Sequence, residues 1–174
     1  MKIKYLILLA VSGSVLALDQ LTKLIVKEKM YYGETISVIS NFFNLTYVRN
    51  PGAAFGMLGG LDASYRIPFF IIMPIVALGV IFYIFRGISD SDRRVSVALS
   101  LVVGGACGNL IDRAAYNYVI DFLDFHYRYQ VHFPAFNVAD SAICVGVGLL
   151  FLDMFKRDQQ NDPSKESAHV SSTH

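Results

Sequence analysis

The stretch Ile67-Pro68-Phe69-Phe70-Ile71-Ile72-Met73-Pro74-Ile75-Val76-Ala77-Leu78-Gly79-Val80-Ile81-Phe82-Tyr83-Ile84-Phe85 carries no charged residue. A helix needs about 20 apolar residues to cross the hydrocarbon of a bilayer, and this run meets the requirement alone. Outward from it lie three more apolar stretches: Tyr5 to Val26, interrupted by Asp19 and Lys23, Val95 to Ile111, and Val138 to Phe155. The composition agrees. Hydrophobic residues make up 54% and charged residues 17% of the 174, against roughly 45–50% and 25% in ordinary globular chains. The balance of 15 Lys+Arg against 14 Asp+Glu leaves +1, no basic excess that would favour nucleic acid. Cys107 and Cys144 both lie in apolar runs, which excludes a disulfide scaffold and a four-cysteine zinc site. The fold class expected is an all-α membrane protein of four transmembrane helices, with spans near 5–26, 67–86, 95–112 and 138–155.

The first stretch has a rival reading as a cleavable signal peptide, since Met1-Lys2-Ile3-Lys4 precedes an apolar run ending in Val15-Leu16-Ala17. Helical pattern continues past Ala17, and three further spans follow, so a retained first helix is expected. Lys2 and Lys4, Arg86, Arg93 and Arg94, and Lys156 and Arg157 flank the spans on one side, which marks that side and both termini as cytoplasmic. Lys27, Lys29, Arg49, Arg66 and Arg128 fall on the other side, spread over longer loops. There, Thr35 to Val48 reads as a hairpin turning at Asn41. Phe125, Tyr127, Tyr129, Val131 and Phe133 alternate with His126, Arg128, Gln130 and His132, a period-2 strand closed by Pro134. A small amphipathic β-sheet on the extracytoplasmic face is therefore expected, resting at headgroup depth where aromatic rings collect. Residues 1–157 form one polytopic domain in this reading, and 158–174 a polar, disordered tail.

Ionisable groups inside spans cost about 2.5–3.5 kcal/mol each on insertion scales and are functional suspects. Asp19 and Lys23 lie one helical turn apart, which suits a neutralising pair in a supporting role. Asp112 and Arg113 invite the same interpretation at the outer end of the third span. Asp140 is different. It sits in Phe136-Asn137-Val138-Ala139-Asp140-Ser141, where Asn137 is a good N-cap and Asp140 occupies the third helical position. It can simply close a capping box, yet it also places a carboxylate about one turn inside the outer leaflet. A second carboxyl sharing that site would let one hold a proton while the other stays charged, the arrangement needed to activate water and donate to a substrate. Asp112, Asp121 and Asp124 are candidates, and spacing does not choose between Asp121 and Asp124.

Other chemistries are weaker. Ser12, Ser14, Ser96, Ser100 and Ser141 have no intramembrane histidine beside them, and His126 and His132 read as the solvated face of a strand rather than a metal site. Asn50-Pro51-Gly52-Ala53-Ala54-Phe55-Gly56 is a turn-rich loop, and Gly104-Gly105-Ala106-Cys107-Gly108-Asn109 has small-residue spacing that lets helices approach. Asn109 is too costly in a membrane to stand unpaired.

Five blocks, Asp19-Gln20-x-Thr22-Lys23, Asn50-x-Gly52-Ala53-Ala54-Phe55-Gly56, Gly108-Asn109-x-x-Asp112-Arg113, Val119-Ile120-Asp121-Phe122 and Phe136-Asn137-x-Ala139-Asp140-Ser141, together resemble the lipoprotein signal peptidase (signal peptidase II) family. The resemblance spans residues 19–141. It implies a membrane-embedded aspartic endopeptidase with a catalytic dyad at Asp121 and Asp140. Asp19, Lys23, Asn50, Gly52, Asn109, Arg113 and Asn137 are implied to position substrate or support the dyad. The implied substrate is a diacylglyceryl-modified bacterial prolipoprotein, cut on the N-terminal side of its lipidated cysteine to release the signal peptide. The resemblance further implies no metal or cofactor, contact with membrane lipids, inhibition by globomycin-type cyclic peptides, and a monomer in the cytoplasmic (inner) membrane with its site near the outer leaflet. One position departs from the family: Asn117 stands where glycine is usual, and Asn is the next residue most tolerant of left-handed backbone. The rival classes are a proton-coupled transporter, which predicts broken helices or an internal repeat, and a structural assembly subunit, which needs no carboxylate in the fourth span.

Overall fold

The computed structural model describes residues 2–52, 62–127 and 131–160. Its elements are α1 (Ile3–Lys29), β1 (Thr35–Ile39), β2 (Phe43–Asn50), α2 (Ala63–Gly87), α3 (Arg93–Tyr116), β3 (Val119–Tyr127), β4 (Val131–His132) and α4 (Val138–Gln160). All four helices are long and apolar enough to cross a membrane. Helix α1 runs unbroken past Ala17 to Lys29, as the helical pattern predicts. The Ala53–Gly56 part of the glycine loop, residues 128–130 of the alternating segment, and 161–174 of the tail lie outside the described residues.

The bundle is small and polar inside and greasy outside. Helix α3 is its centre, burying Ser96, Ala98, Leu99, Ser100, Gly104, Gly105, Gly108, Asn109 and Asp112. Leu9, Leu21, Ile72, Ile75, Val80, Phe151 and Leu152 are exposed on the bundle surface. Lipid is as apolar as leucine, so nothing drives leucine inward, and small residues that permit close contact take the interior instead. The glycines divide this work. A Cβ on Gly104 would strike Ser12 and Val15 of α1, one on Gly105 would strike Ala139 and Ile143 of α4, and one on Gly108 would strike the Asp19 carboxylate.

Lys4 is a finding the sequence did not suggest. Counted there as a flanking charge, it is buried in α1, and its Nζ donates to the carbonyls of Phe85, Arg86 and Ile88 at 3.1, 2.9 and 2.7 Å. A cation at a helix C-terminus meets both the orphan carbonyls and the negative dipole end. It ties the start of α1 to the end of α2.

At the opposite end, the four strands form an antiparallel sheet in the order β1-β2-β3-β4. The β1–β2 turn passes through Asn41 at φ 63°, as its position predicts. One expectation is corrected: residues 125–133 are not a single strand. β3 starts at Val119 and ends at Tyr127, and β4 pairs back on it with His126 opposite His132. Alternation persists through a tight antiparallel pair, so period alone cannot reveal the reversal. A second correction follows. His126 is buried, lying against Asn44 with the two side-chain nitrogens 3.4 Å apart, so its side of β3 is not the wet face. Asn44 also donates to Asp124 at 2.9 Å, so polar side chains of β2 and β3 meet on this face. Val26, Tyr47, Ile120 and Phe122 form the apolar core that seats the sheet on the end of α1.

Candidate active site

The β2–β3 register sets Asn50 opposite Val119 and Val48 opposite Asp121, bringing the end of β2 beside the Asp121 carboxylate. Asn117 makes this placement possible. It caps α3 at φ 61° and ψ 15°, left-handed backbone that turns the chain from helix into β3 within two residues. Asp121 and Asp124 are three residues apart on one strand, so they point to opposite faces. Asp124 faces Asn44, and Asp121 faces the start of α4.

Asn137 joins the two expected dyad residues. Its Nδ2 donates to Asp121 Oδ1 at 2.6 Å, and its Oδ1 accepts from the Asp140 backbone N–H at 3.0 Å. Asp140 Oδ2 accepts in return from the Asn137 backbone N–H at 3.3 Å, which closes the capping box. The capping reading of Asp140 is therefore correct, but it uses one carboxylate oxygen only. The other, Oδ1, accepts from Asn109 Nδ2 at 2.7 Å. Asn50 Nδ2 donates to Asp121 Oδ2 at 2.9 Å, and Asn50 Oδ1 accepts from the Gly52 N–H at 2.9 Å. Gly52 has φ 109°, and a Cβ there would also drive into the Phe70 ring, so glycine is required on both counts.

Behind this pair lies a buried ionic platform. The Lys23 ammonium has three donors and three acceptors: Asp19 at 2.8 Å, Asn109 Oδ1 at 2.9 Å and Asp112 at 3.1 Å. Asp19 Oδ1 accepts from the Ala139 N–H at 2.9 Å, a second cap for α4 supplied by α1. Asp112 Oδ2 also accepts from the Ile120 N–H at 3.0 Å, and its Oδ1 accepts from Gln20 at 3.0 Å. Asp112, a candidate dyad partner by sequence, is thus committed to holding α1, α3 and β3 together. Gln20 was not singled out among the supporting residues. The signal was available, because an amide one residue from a buried Asp in a membrane span needs partners of its own.

Arg113 lies one turn beyond Asn109, within electrostatic reach of Asp140, Asp121 and Asp112 and with its guanidinium 5.5 Å from the Phe70 ring centre. Its Nη1 reaches the Asn109 carbonyl in a long bond of 3.5 Å, and Nε meets no acceptor among the described residues. It is a cation with donors to spare beside two carboxyls.

Asp121 is 2% exposed. Burial pushes its carboxyl up to about 7, the Asp140 charge pushes the same way, and the bonds from Asn50 and Asn137 oppose them. Near neutral pH this site can hold one proton, the condition for acid and base to coexist in a carboxyl pair. No group of three or more metal-binding side chains occurs among the described residues.

The family model described as signal peptidase (SPase) II matches residues 11–156. This chain belongs to the signal peptidase II family. It is 49% identical over 163 residues to the lipoprotein signal peptidase of Geobacter sulfurreducens, covering 94% of this chain and 100% of the relative. The lipoprotein signal peptidase of Brevibacillus brevis is 45% identical over 151 residues, covering 87% and 96%. Two solved structures, described as a bacterial membrane enzyme structure by the in meso method at 2.3 and 1.9 Å resolution, superpose with TM-scores of 0.76 and 0.75. They are 34% and 36% identical and cover 89% and 86% of this chain, and 91% and 92% of their own. Signal peptidase II is a protease, and in this chain four membrane-spanning helices carry a polar site at the end where α3, α4 and the sheet meet.

Proposed function

We propose that this chain is an aspartic endopeptidase whose dyad is Asp121 and Asp140, acting on diacylglyceryl-modified prolipoproteins N-terminal to the lipidated cysteine. The observation that carries it is the Asn137 bridge, bonded to the Asp121 carboxylate by its side chain and to Asp140 through the capping box. Prolipoprotein processing follows from the family. The charged carboxylate takes a proton from water as the oxygen attacks the scissile carbonyl. The protonated partner gives its proton to that carbonyl oxygen, forming a neutral tetrahedral diol. Collapse breaks the C–N bond: the proton gained from water passes to the leaving amine, and a diol hydroxyl returns one to the other carboxylate. One shared proton is restored to the pair at the end of the cycle. No metal or cofactor enters the reading.

Asp19 and Lys23 act as the platform, Asn50 and Gly52 hold Asp121, Asn109 and Asn137 hold Asp140, and Arg113 supplies donors to the substrate backbone. Both termini are cytoplasmic, the site lies near the outer leaflet of the inner membrane, and residues 1–157 work as one monomeric domain. A diacylglyceryl group gains little by leaving the bilayer for the protein, because either place buries its chains. It delivers the scissile bond at the right depth, and the polar groups around the dyad discriminate.

The test is purified protein in detergent with a diacylglyceryl prolipoprotein, read by gel shift, with a globomycin-type cyclic peptide in a parallel arm. Cleavage at the lipidated cysteine, blocked by the cyclic peptide, is expected. No cleavage by folded protein overturns the reading, as does equal cleavage of substrate that carries no lipid.

A further inference from the structure

The end of the bundle opposite the dyad holds a second, unrelated cleft. Residues of α3 and α4 line a cavity there of about 370 Å³: Arg93, Arg94, Val97, Leu149, Leu152, Asp153 and Lys156. Its floor is aliphatic (Val97, Leu149, Leu152) and its rim ionic. The rim sets three cations against Asp153; Asp92 lines an adjoining hollow of about 250 Å³ beside the same arginines. Arg93 and Asn109 are sixteen residues apart on α3, roughly 24 Å along its axis at 1.5 Å per residue. The cleft therefore opens in the other leaflet from the carboxyl pair, at the level where a helix leaves the hydrocarbon.

We infer that this cleft binds one anionic glycerophospholipid of that leaflet, its phosphate against Arg93, Arg94 and Lys156 and the upper part of an acyl chain over Val97, Leu149 and Leu152. Charge complementarity selects the occupant. An aliphatic hollow at the membrane boundary suits any acyl chain, but a net positive rim rewards a headgroup that keeps a net negative charge. Each cation near such a surface adds to the attraction for an anionic lipid, and arginine can grip a phosphate through two parallel bonds. A zwitterionic lipid presents the same phosphate together with its own ammonium, which meets the rim unfavourably. The site is independent of the peptidase chemistry and involves none of its residues.

Native mass spectrometry of the full chain in detergent tests it, with phosphatidylglycerol and phosphatidylcholine of identical acyl chains titrated in parallel. The wild type is expected to retain one phosphatidylglycerol with at least about tenfold preference. The triple variant Arg93→Gln/Arg94→Gln/Lys156→Gln should lose that preference, and Arg94→Gln alone should lose part of it. Lys2→Gln and Arg86→Gln, cations of the same membrane end outside the cleft, should leave it unchanged. Val97→Phe keeps every charge but fills the floor, and it should lower retention of phosphatidylglycerol. Inorganic phosphate at millimolar concentration should not displace the lipid. Equal retention of the two lipids by the wild type overturns the proposal, and so does a preference that survives the triple variant. Undiminished binding in Val97→Phe overturns it too, since charge alone would then hold the lipid. Displacement by phosphate would reassign the site to a free anion.

Discussion

Asn137 Nδ2 lies 2.6 Å from Asp121 Oδ1, while the oxygen of the same amide caps the Asp140 N–H at 3.0 Å. One side chain thus fixes two carboxyls that come from different elements, a β-strand and a helix start. Separated by nineteen positions in sequence, they become neighbours because Asn137 has a donor for one and an acceptor for the other.

If that pair is the dyad, Asp121→Asn and Asp140→Asn each lower kcat by about a hundredfold or more, the usual scale for loss of an acid or base. Each variant keeps the size of the side chain, so membrane insertion and helical content should not change. Asp124→Asn, on the opposite face of β3, should cost far less. Gel-shift kinetics on the three variants decide the assignment, and an equal loss at Asp124 would sink it.

The pH profile should carry the Asp121 signature. Its carboxyl is raised to about 7, so it holds a proton below that pH and loses it above. The profile of kcat/KM should accordingly fall on its alkaline side with an apparent pKa near 7. Asn50 donates to the charged form at 2.9 Å, so Asn50→Ala removes a bond that lowers the pKa and should move this limb to higher pH. Linkage runs the same way for stability. A carboxyl raised on folding favours the native state most below the ordinary carboxylate range, and that contribution is lost as pH rises through about 7. A limb that shifts to lower pH in Asn50→Ala would contradict this assignment.

Lys23→Met should be severe. It removes the one cation bonded to both Asp19 and Asp112 and leaves their buried charges unpaired. Breaking such a pair costs about 3–5 kcal/mol, seen as a large fall in Tm in detergent. Converting Asp19 and Asp112 to Asn in the same chain should recover part of the loss. A lone Lys23→Met with unchanged Tm would show that the platform does not hold the bundle.

Asn117→Gly should leave Tm unchanged or slightly higher, whereas Asn117→Ala should lose about 1–2 kcal/mol. The residue sits at φ 61°, where a Cβ without a local polar partner is penalised. Tm of the two variants in the same detergent measures the difference.

Topology can be read by labelling single cysteines on a chain lacking Cys107 and Cys144. Val38→Cys in β1 should react with an impermeant reagent added outside intact cells, and Ser91→Cys in the α2–α3 turn should not. The reverse pattern would invert the proposed orientation.

The four spans, the Asn41 hairpin, the Asn137 cap and the Asp19–Lys23 pair were legible in the sequence, because each rests on chemistry local to a helix turn or a β-turn. Length and apolarity suffice for a span, and residues one turn apart must meet. The end of β3 at Tyr127, the covered position of His126, the grip of Lys4 on α2 and the commitment of Asp112 to Lys23 and Gln20 were not. Nor could spacing separate Asp121 from Asp124, since both lie in the same apolar strand. Only packing makes that choice: strand register turns one carboxylate toward the start of α4 and the other toward Asn44. Alternation along a strand defines two faces, but which face is covered depends on the elements that reach it from elsewhere in the chain.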